Sequence, residues 1–120
     1  MNILITGTSS GLGYGLAKFY LNEKNTVYGI RRSQNLELIK YDNFKYLSQD
    51  ISRFVELKPK LDTFLEEQTK IDLVILNVGI LKEINDLHKT PLDEIKKVMN
   101  VNVWANKLLI DLLFNKLVSI

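Results

Sequence analysis

The 120-residue sequence contains no cysteine and only one histidine, His88. The lack of cysteine excludes disulfides, thiolate nucleophiles and cysteine zinc sites, and one histidine cannot form a multi-histidine metal site. We therefore predict no bound metal. No apolar run approaches the roughly 20 residues of a membrane-spanning helix. The N-terminus also lacks the basic segment and apolar core of a signal peptide, so a cytoplasmic protein is expected.

An excess of charge of one sign is also missing. The formal net charge is +2, from 16 basic and 14 acidic residues, and the basic residues are scattered along the chain. Neither nucleic-acid nor membrane binding therefore gains support. The length and the hydrophobic content of 46% are those of one globular domain. We accordingly predict a single domain over residues 1–120.

Short apolar runs alternate with helical patterns along the chain. The runs predict strands at 3–5, 26–30, 44–47 and 73–76. Helical spacing of apolar residues predicts helices over 12–21, 57–65 and 91–115, with Pro59 either in a first turn or at a kink. Strands and helices that alternate with short connections predict a parallel sheet with helices on both faces, which is a three-layer α/β fold.

The last predicted helix has an N-cap at Thr90, a first-position proline at Pro91 and an acid, Asp93, in its first turn. Its apolar residues cover well over half of the helix circumference, and one face of a sheet cannot bury so wide a stripe. They are Leu108, Leu109, Ile110, Leu112, Leu113 and Phe114. We predict a second partner for this surface, from another subunit or from further chain. The residues at 117–120 predict the start of a fifth strand.

The segment TGTSSGLG directly follows the first predicted strand and opens a helix. A pyrophosphate at a helix N-terminus gains from free backbone N–H groups and from the helix dipole, and glycines let the backbone approach it closely. The candidate contacts are Gly7, Thr8, Ser9, Ser10, Gly11, Leu12 and Gly13. The spacing differs from G-x-G-x-x-G and lacks the lysine of a P-loop. An ordinary tight turn is the alternative, but the strand and helix on either side favour a dinucleotide cradle.

Two arginines, Arg31 and Arg32, follow the second predicted strand, and no acid occurs before Glu37. An acid at this place suits the ribose hydroxyls of NAD, whereas an arginine suits the 2′-phosphate of NADP. NADP is therefore the expected cofactor, and NAD is the less favoured one. The alternative is a solvated basic pair on a loop. The missing acid also argues against a methyltransferase, because the ribose of S-adenosylmethionine usually needs a carboxylate.

Four segments, taken in order, resemble the N-terminal half of the classical short-chain dehydrogenase/reductase family. They are the cradle TGTSSGLG, the pair Asp50-Ile51, the run Leu76-Asn77-Val78-Gly79, and Asn102 within MNVNVWANKLL. The resemblance implies a Rossmann-like fold with about five of the usual seven strands. It also implies adenine contacts for Asp50 and Ile51, cofactor contacts for Asn77, Val78 and Gly79, and a catalytic role for Asn102. Leu76 and Val78 depart from the family's Asn-Asn-Ala-Gly.

The implied activity is hydride transfer between NADP(H) and a carbonyl or alcohol, with a tyrosine as general acid/base whose pKa a lysine lowers. In the family this Tyr-x-x-x-Lys pair and a serine follow the fifth strand. The matches Tyr14/Lys18, Tyr20/Lys24 and Tyr41/Lys45 all precede the fourth, and Ser119 lies inside the predicted fifth. We therefore expect the NADP-binding portion of such an enzyme, truncated near the fifth strand. The alternatives are an inactive dinucleotide-binding module and a self-associating fragment.

Overall fold

The computed structural model describes residues 1–9, 11–33, 36–79 and 86–118. Its sheet has four parallel strands in the order β3-β2-β1-β4. The strands are β1 (Asn2–Thr6), β2 (Thr26–Arg31), β3 (Phe44–Ser48) and β4 (Leu73–Ile75). The helices are α1 (Gly11–Asn22), α2 (Phe54–Phe64), α3 (Leu92–Met99) and α4 (Ala105–Leu113). The predicted Rossmann-like α/β fold is confirmed.

Helices cover both faces of the sheet. Side chains alternate between the two faces of a strand, so Ile3 and Ile5 of β1 pack with Ala17 and Leu21 of α1. Leu4 lies on the opposite face, in a second core cluster. To that cluster α2 and α4 contribute Leu57, Leu61, Leu109 and Leu113. Both faces of β1 are thus buried, which explains why its apolar run is uninterrupted.

The predicted helix over 91–115 is divided into three parts. A π-helical turn, Asn100–Trp104, joins α3 to α4, and a 3₁₀ turn, Phe114–Lys116, follows. The predicted N-cap is wrong, because Pro91 occupies the cap position and the Thr90 hydroxyl instead donates to the Asp86 carbonyl at 3.1 Å. The acid predicted for the first turn, Asp93, is present, and Glu94 lies beside it. Hydrophobic spacing did not reveal the π turn, because the buried residues Val101, Ala105, Leu109 and Leu113 recur every four positions, a spacing that an α-helix also shows.

Two further predictions are corrected. Pro59 is the sixth residue of α2, so it does not lie in the first turn, because the helix begins at Phe54 before the first residue of the apolar stripe. β4 ends at Ile75, one residue before the predicted end at Leu76, and its residues are only half-buried. Leu76 lies beyond the strand and is exposed.

The predicted fifth strand begins beside β4. Leu117 forms a parallel bridge with Ile71. The Ile71 amide donates to the Lys116 carbonyl at 2.8 Å, and the Val118 amide donates to the Ile71 carbonyl at 3.0 Å. Residues 119–120 lie outside the described part of the chain. In the described ranges, no helix is both long and apolar enough to cross a membrane.

Candidate cofactor-binding site

The glycine segment folds into a tight turn between β1 and α1. Gly7 and Gly11 have φ angles of +77° and +61°, in the left-handed region that favours glycine. A Cβ atom on Gly13 would lie 2.0 Å from the Gly7 carbonyl oxygen, so no other residue fits there without backbone movement. The N-terminus of α1 therefore lies close to the ends of β1 and β2, where the Gly7 amide donates to the Ile30 carbonyl at 2.9 Å. Such a cradle fits a dinucleotide pyrophosphate.

The hydroxyls of the cradle do not all face the same way. Thr8 is 1% exposed, and its Oγ1 lies against β2, 2.7 Å from the place of a Cβ on Gly29. This oxygen has no hydrogen-bond partner in the described part of the chain. Thr8 can therefore offer only its backbone at the mouth of the cradle. Ser10, another predicted contact, lies outside the described residues.

Thr6 ties the cradle to the segment after β4. Its buried Oγ1 accepts hydrogen bonds from the Asn77 amide at 2.9 Å and the Val78 amide at 3.1 Å. The Asn77 side-chain amide donates in turn to the Gly7 carbonyl at 3.3 Å. The two amides that bind the Thr6 hydroxyl are 71 and 72 residues away along the chain. This tie brings two of the predicted cofactor-binding segments together.

A cavity of about 410 Å³ lies beside the cradle, within the size range of small-molecule sites. Its walls come from the carboxyl ends of β2, β3 and β4, from α3 and from the start of the π turn. It is lined by Ile30, Arg31, Arg32, Gln49, Asp50, Ile51, Ser52, Val78, Gly79, Asp93, Lys96, Lys97, Asn100 and Val101. Parallel sheets bind ligands at this edge, beyond the carboxyl ends of the strands. Six of the predicted site residues thus meet in one cavity.

Asp50 is held by the residue two positions after it. Its Oδ1 accepts hydrogen bonds from the Ser52 amide at 3.0 Å and the Ser52 hydroxyl at 2.7 Å. Partial burial by itself raises the pKa of Asp50, but these hydrogen bonds and the nearby Arg32 and Arg53 outweigh it. The pKa therefore lies below its ordinary value, and Asp50 presents a fixed carboxylate at the cavity wall.

Side chains of β3 hold the backbone of the arginine pair by hydrogen bonds. The Tyr46 hydroxyl donates to the Arg31 carbonyl at 2.7 Å, and the Ser48 hydroxyl donates to the Arg32 carbonyl at 2.9 Å. Among the described residues, no carboxylate lies within 4.0 Å of either guanidinium group. Within the described ranges, the guanidinium charges at the cavity are therefore not neutralised by an ion pair.

Glu37, the first acid after this pair, is engaged on α1. Its carboxylate accepts a hydrogen bond from the Tyr14 hydroxyl and, at 3.0 Å, one from the Lys18 ammonium. The pKa of Glu37 is lowered most by the hydrogen bond from Tyr14 and next by the one from Lys18. The same contact with the carboxylate raises the pKa of Tyr14, although Lys18 lies only 6.0 Å from its ring. A catalytic tyrosine needs the opposite shift.

The other two Tyr-x-x-x-Lys matches also have structural surroundings. The Tyr41 hydroxyl donates to the Asn22 side-chain oxygen at 3.0 Å. The ring of Tyr20 packs edge-on against Phe19, with 5.2 Å between the ring centroids. None of the tyrosines and lysines of the three matches lines the cavity. The geometry agrees with the expectation that these pairs are structural.

Asn102 lies in the π turn, next to the segment after β4. Its Oδ1 is 3.4 Å from the place where a Cβ on Gly79 would stand, so the two residues are neighbours. The Asn102 carbonyl accepts a hydrogen bond from the Asn106 side chain at 3.0 Å. π turns inside helices are frequent at functional sites. The predicted Asn102 therefore lies beside the cavity, although it does not line it.

The sequence analysis missed the wall formed by α3. Asp93, Lys96, Lys97 and Asn100 all line the cavity. Their spacing of i, i+3, i+4 and i+7 places them on one face of a helix. This polar stripe was the available signal, but nothing in the local pattern indicated what the stripe faces. In the described ranges, no group of three or more metal-ligating side chains occurs.

Comparison with known families matches residues 1–119 to the short chain dehydrogenases. The chain belongs to the short chain dehydrogenase family. The family predicted from the four motifs is thus confirmed, and its oxidoreductases bind NAD(P). Among solved structures, a short chain dehydrogenase family protein from Francisella tularensis superposes with a TM-score of 0.85 and 30% identity. The match covers 97% of this chain and 46% of that one.

Curated members of the short chain dehydrogenase family give similar results. The oxidoreductase YIR035C of Saccharomyces cerevisiae is 29% identical over 109 residues, which cover 86% of this chain and 43% of the yeast protein. The NADPH-dependent pterin aldehyde reductase of Arabidopsis thaliana is 28% identical over 107 residues, with 84% and 44% covered. The chain thus spans less than half the length of these two relatives.

Proposed function

We propose that this chain is the cofactor-binding portion of an NADP-dependent oxidoreductase. The observation that carries the proposal is the tight glycine cradle beside a cavity that holds two arginines, neither of which has an ion pair with another described residue. NADP would supply hydride chemistry at its nicotinamide. Residues proposed for the pyrophosphate are Gly7, Thr8, Ser9, Ser10, Gly11, Leu12 and Gly13. Those proposed for the rest of the cofactor are Arg31, Arg32, Asp50, Ile51, Asn77, Val78 and Gly79, with Asn102 as the catalytic asparagine.

The preference for NADP over NAD is part of this proposal. Guanidinium groups form strong, often bidentate hydrogen bonds with phosphate, and the extra phosphate of NADP is on the ribose next to adenine. Glu37 is bound to Tyr14 and Lys18, which leaves Arg31 and Arg32 as the charged side chains directly after β2. The name of the NADPH-dependent reductase from Arabidopsis thaliana agrees with this preference.

Titration of the chain with NADPH and with NADH, followed by nicotinamide fluorescence, tests the preference. We expect tighter binding of NADPH. In the variant Arg31→Gln/Arg32→Gln, loss of hydrogen bonds to a charged group should weaken NADPH binding by roughly 10- to 100-fold and NADH binding much less. Equal affinities for the two nucleotides in the unchanged chain would contradict the proposal.

For a longer protein that contains this segment, we propose reversible hydride transfer between NADP(H) and a small-molecule substrate, from NADPH to a carbonyl or from an alcohol to NADP⁺. A second candidate is a dinucleotide-binding module without turnover, and the raised pKa of Tyr14 and the occupied hydroxyl of Tyr41 favour it. Oxidation of NADPH by a panel of aldehydes and ketones tests whether residues 1–120 have any turnover of their own. We expect no turnover. Turnover that disappears in Tyr20→Phe would show that one of the three pairs is catalytic.

Self-association through residues 91–115, which were predicted as one helix, is also proposed. Leu109 and Leu113 of α4 are buried, but Trp104 and Phe114 are 49% and 70% exposed and Leu108 is also exposed. A second copy could cover these exposed apolar side chains. We expect a dimer or larger assembly in sedimentation, and weaker association in Phe114→Asp. A monomer at high concentration would refute this part of the proposal.

A further inference from the structure

We infer that Lys96 and Lys97 of α3 form a second cationic wall, which accelerates capture of an adenosine nucleotide with a phosphorylated ribose. This inference rests on the proposed function and concerns the same cavity. Lys96 and Lys97 line that cavity together with Arg31 and Arg32, which lie at the end of β2. The nucleotide would therefore enter between cations that belong to different elements of the fold.

The cavity has an excess of positive charge. Among the described lining residues, four are cations, against the two carboxylates of Asp50 and Asp93, so the difference is two positive charges. Asp50 counts as ionised because its pKa is lowered. The net charge of the whole chain is also +2. The rest of the molecule is thus neutral on balance, and its positive excess is concentrated where the nucleotide is proposed to bind.

The two lysines do not take the ion pairs that their spacing offers. Asp93 precedes Lys96 by three residues and Lys97 by four, which are favourable spacings for ion pairs on a helix. On other helices the same spacing of four is used, by Lys58 with Asp62 at 3.3 Å. In the described part of the chain, however, no carboxylate lies within 4.0 Å of either ammonium group of α3. As far as the described residues go, both charges are available to a ligand.

Unpaired charges of one sign in a cleft act mainly on the rate of association. A cleft with low-dielectric walls focuses their field and raises the local concentration of an oppositely charged ligand. A phosphate monoester adds about 1.5 to 2 negative charges at pH 7, so NADPH is attracted more strongly than NADH. The effect should disappear at about 1 M salt, where the Debye length is only about 3 Å.

Stopped-flow mixing with NADPH or NADH tests this inference on the full chain. At low ionic strength, the variant Lys96→Met/Lys97→Met should bind NADPH with an association rate constant that is lower by roughly three- to tenfold. The loss should be smaller for NADH and absent at high salt, and the dissociation rate constant should change little. The matched control is Lys45→Met/Lys60→Met, which removes two exposed lysines that do not line the cavity.

The outcomes separate this inference from the proposed function. If the unchanged chain prefers NADPH but the α3 variant associates as fast as the control, the second cationic wall is refuted and the proposed function stands. If the control slows as much as the α3 variant, only net charge matters, and the inference is again refuted. If the unchanged chain does not bind NADPH, both fall together.

Discussion

The substitution Gly13→Ala should disrupt the cradle, because its Cβ has no room. That atom would lie 2.0 Å from the Gly7 carbonyl oxygen and 2.6 Å from the Asn77 side-chain nitrogen. Ordinary carbon–oxygen contacts begin at about 3.3 Å, so α1 and the turn must separate by roughly 1.3 Å. Overpacking usually costs about 1 to 3 kcal/mol, and here the obstacle is backbone. We expect a loss of about 3 kcal/mol in the free energy of unfolding.

The matched control is Gly15→Ala, at the glycine that directly follows Tyr14 in the same helix, α1. A Cβ on Gly15 would meet nothing within 4 Å. Because alanine is the better helix former, this variant should be more stable by about 0.5 to 1 kcal/mol. Urea unfolding and NADPH titration measure both variants. If Gly13→Ala unfolds within 0.5 kcal/mol of the unchanged chain, on the order of experimental error, and binds NADPH normally, the reasoning on the cradle is wrong.

Three further predictions concern stability. Thr8→Val removes a buried hydroxyl that has no hydrogen-bond partner among the described residues, so it should stabilise the chain by about 1 kcal/mol. Thr6→Val leaves two backbone amides unpaired, so it should destabilise the chain by about 1 to 3 kcal/mol. Lys24 has a φ of 65°, so Lys24→Gly should raise the unfolding free energy by about 1 kcal/mol in urea titrations. The lowered pKa of Asp50 stabilises the fold above the ordinary carboxyl pKa of about 3.9, so the deficit of Asp50→Asn should shrink as pH falls below that value. A deficit that is constant with pH would contradict the assigned cause.

The parts of the site that follow from local chemistry were predictable. Gly7 and Gly11 adopt positive φ angles at the turn, and the pattern of small residues between a strand and a helix indicated this. The apolar run at 3–5 predicted a strand, and the structure buries that strand, β1, on both faces. By contrast, the pairing of Thr6 with Asn77 and Val78 joins segments that no local pattern relates. The π turn around Asn102 was also hidden, since the apolar stripe continues through it.

The sequence by itself determined the alternation of strands and helices, the position of the cradle and the family, because each depends on spacing between near neighbours. Only the tertiary structure decided which charges meet. It engaged Glu37 with Tyr14 and Lys18, away from any ion pair with Arg31 or Arg32. It also brought Lys96 and Lys97 to the same cavity as the arginines. These contacts arise because parallel strands place their carboxyl ends at one edge, whatever the distance between them along the chain.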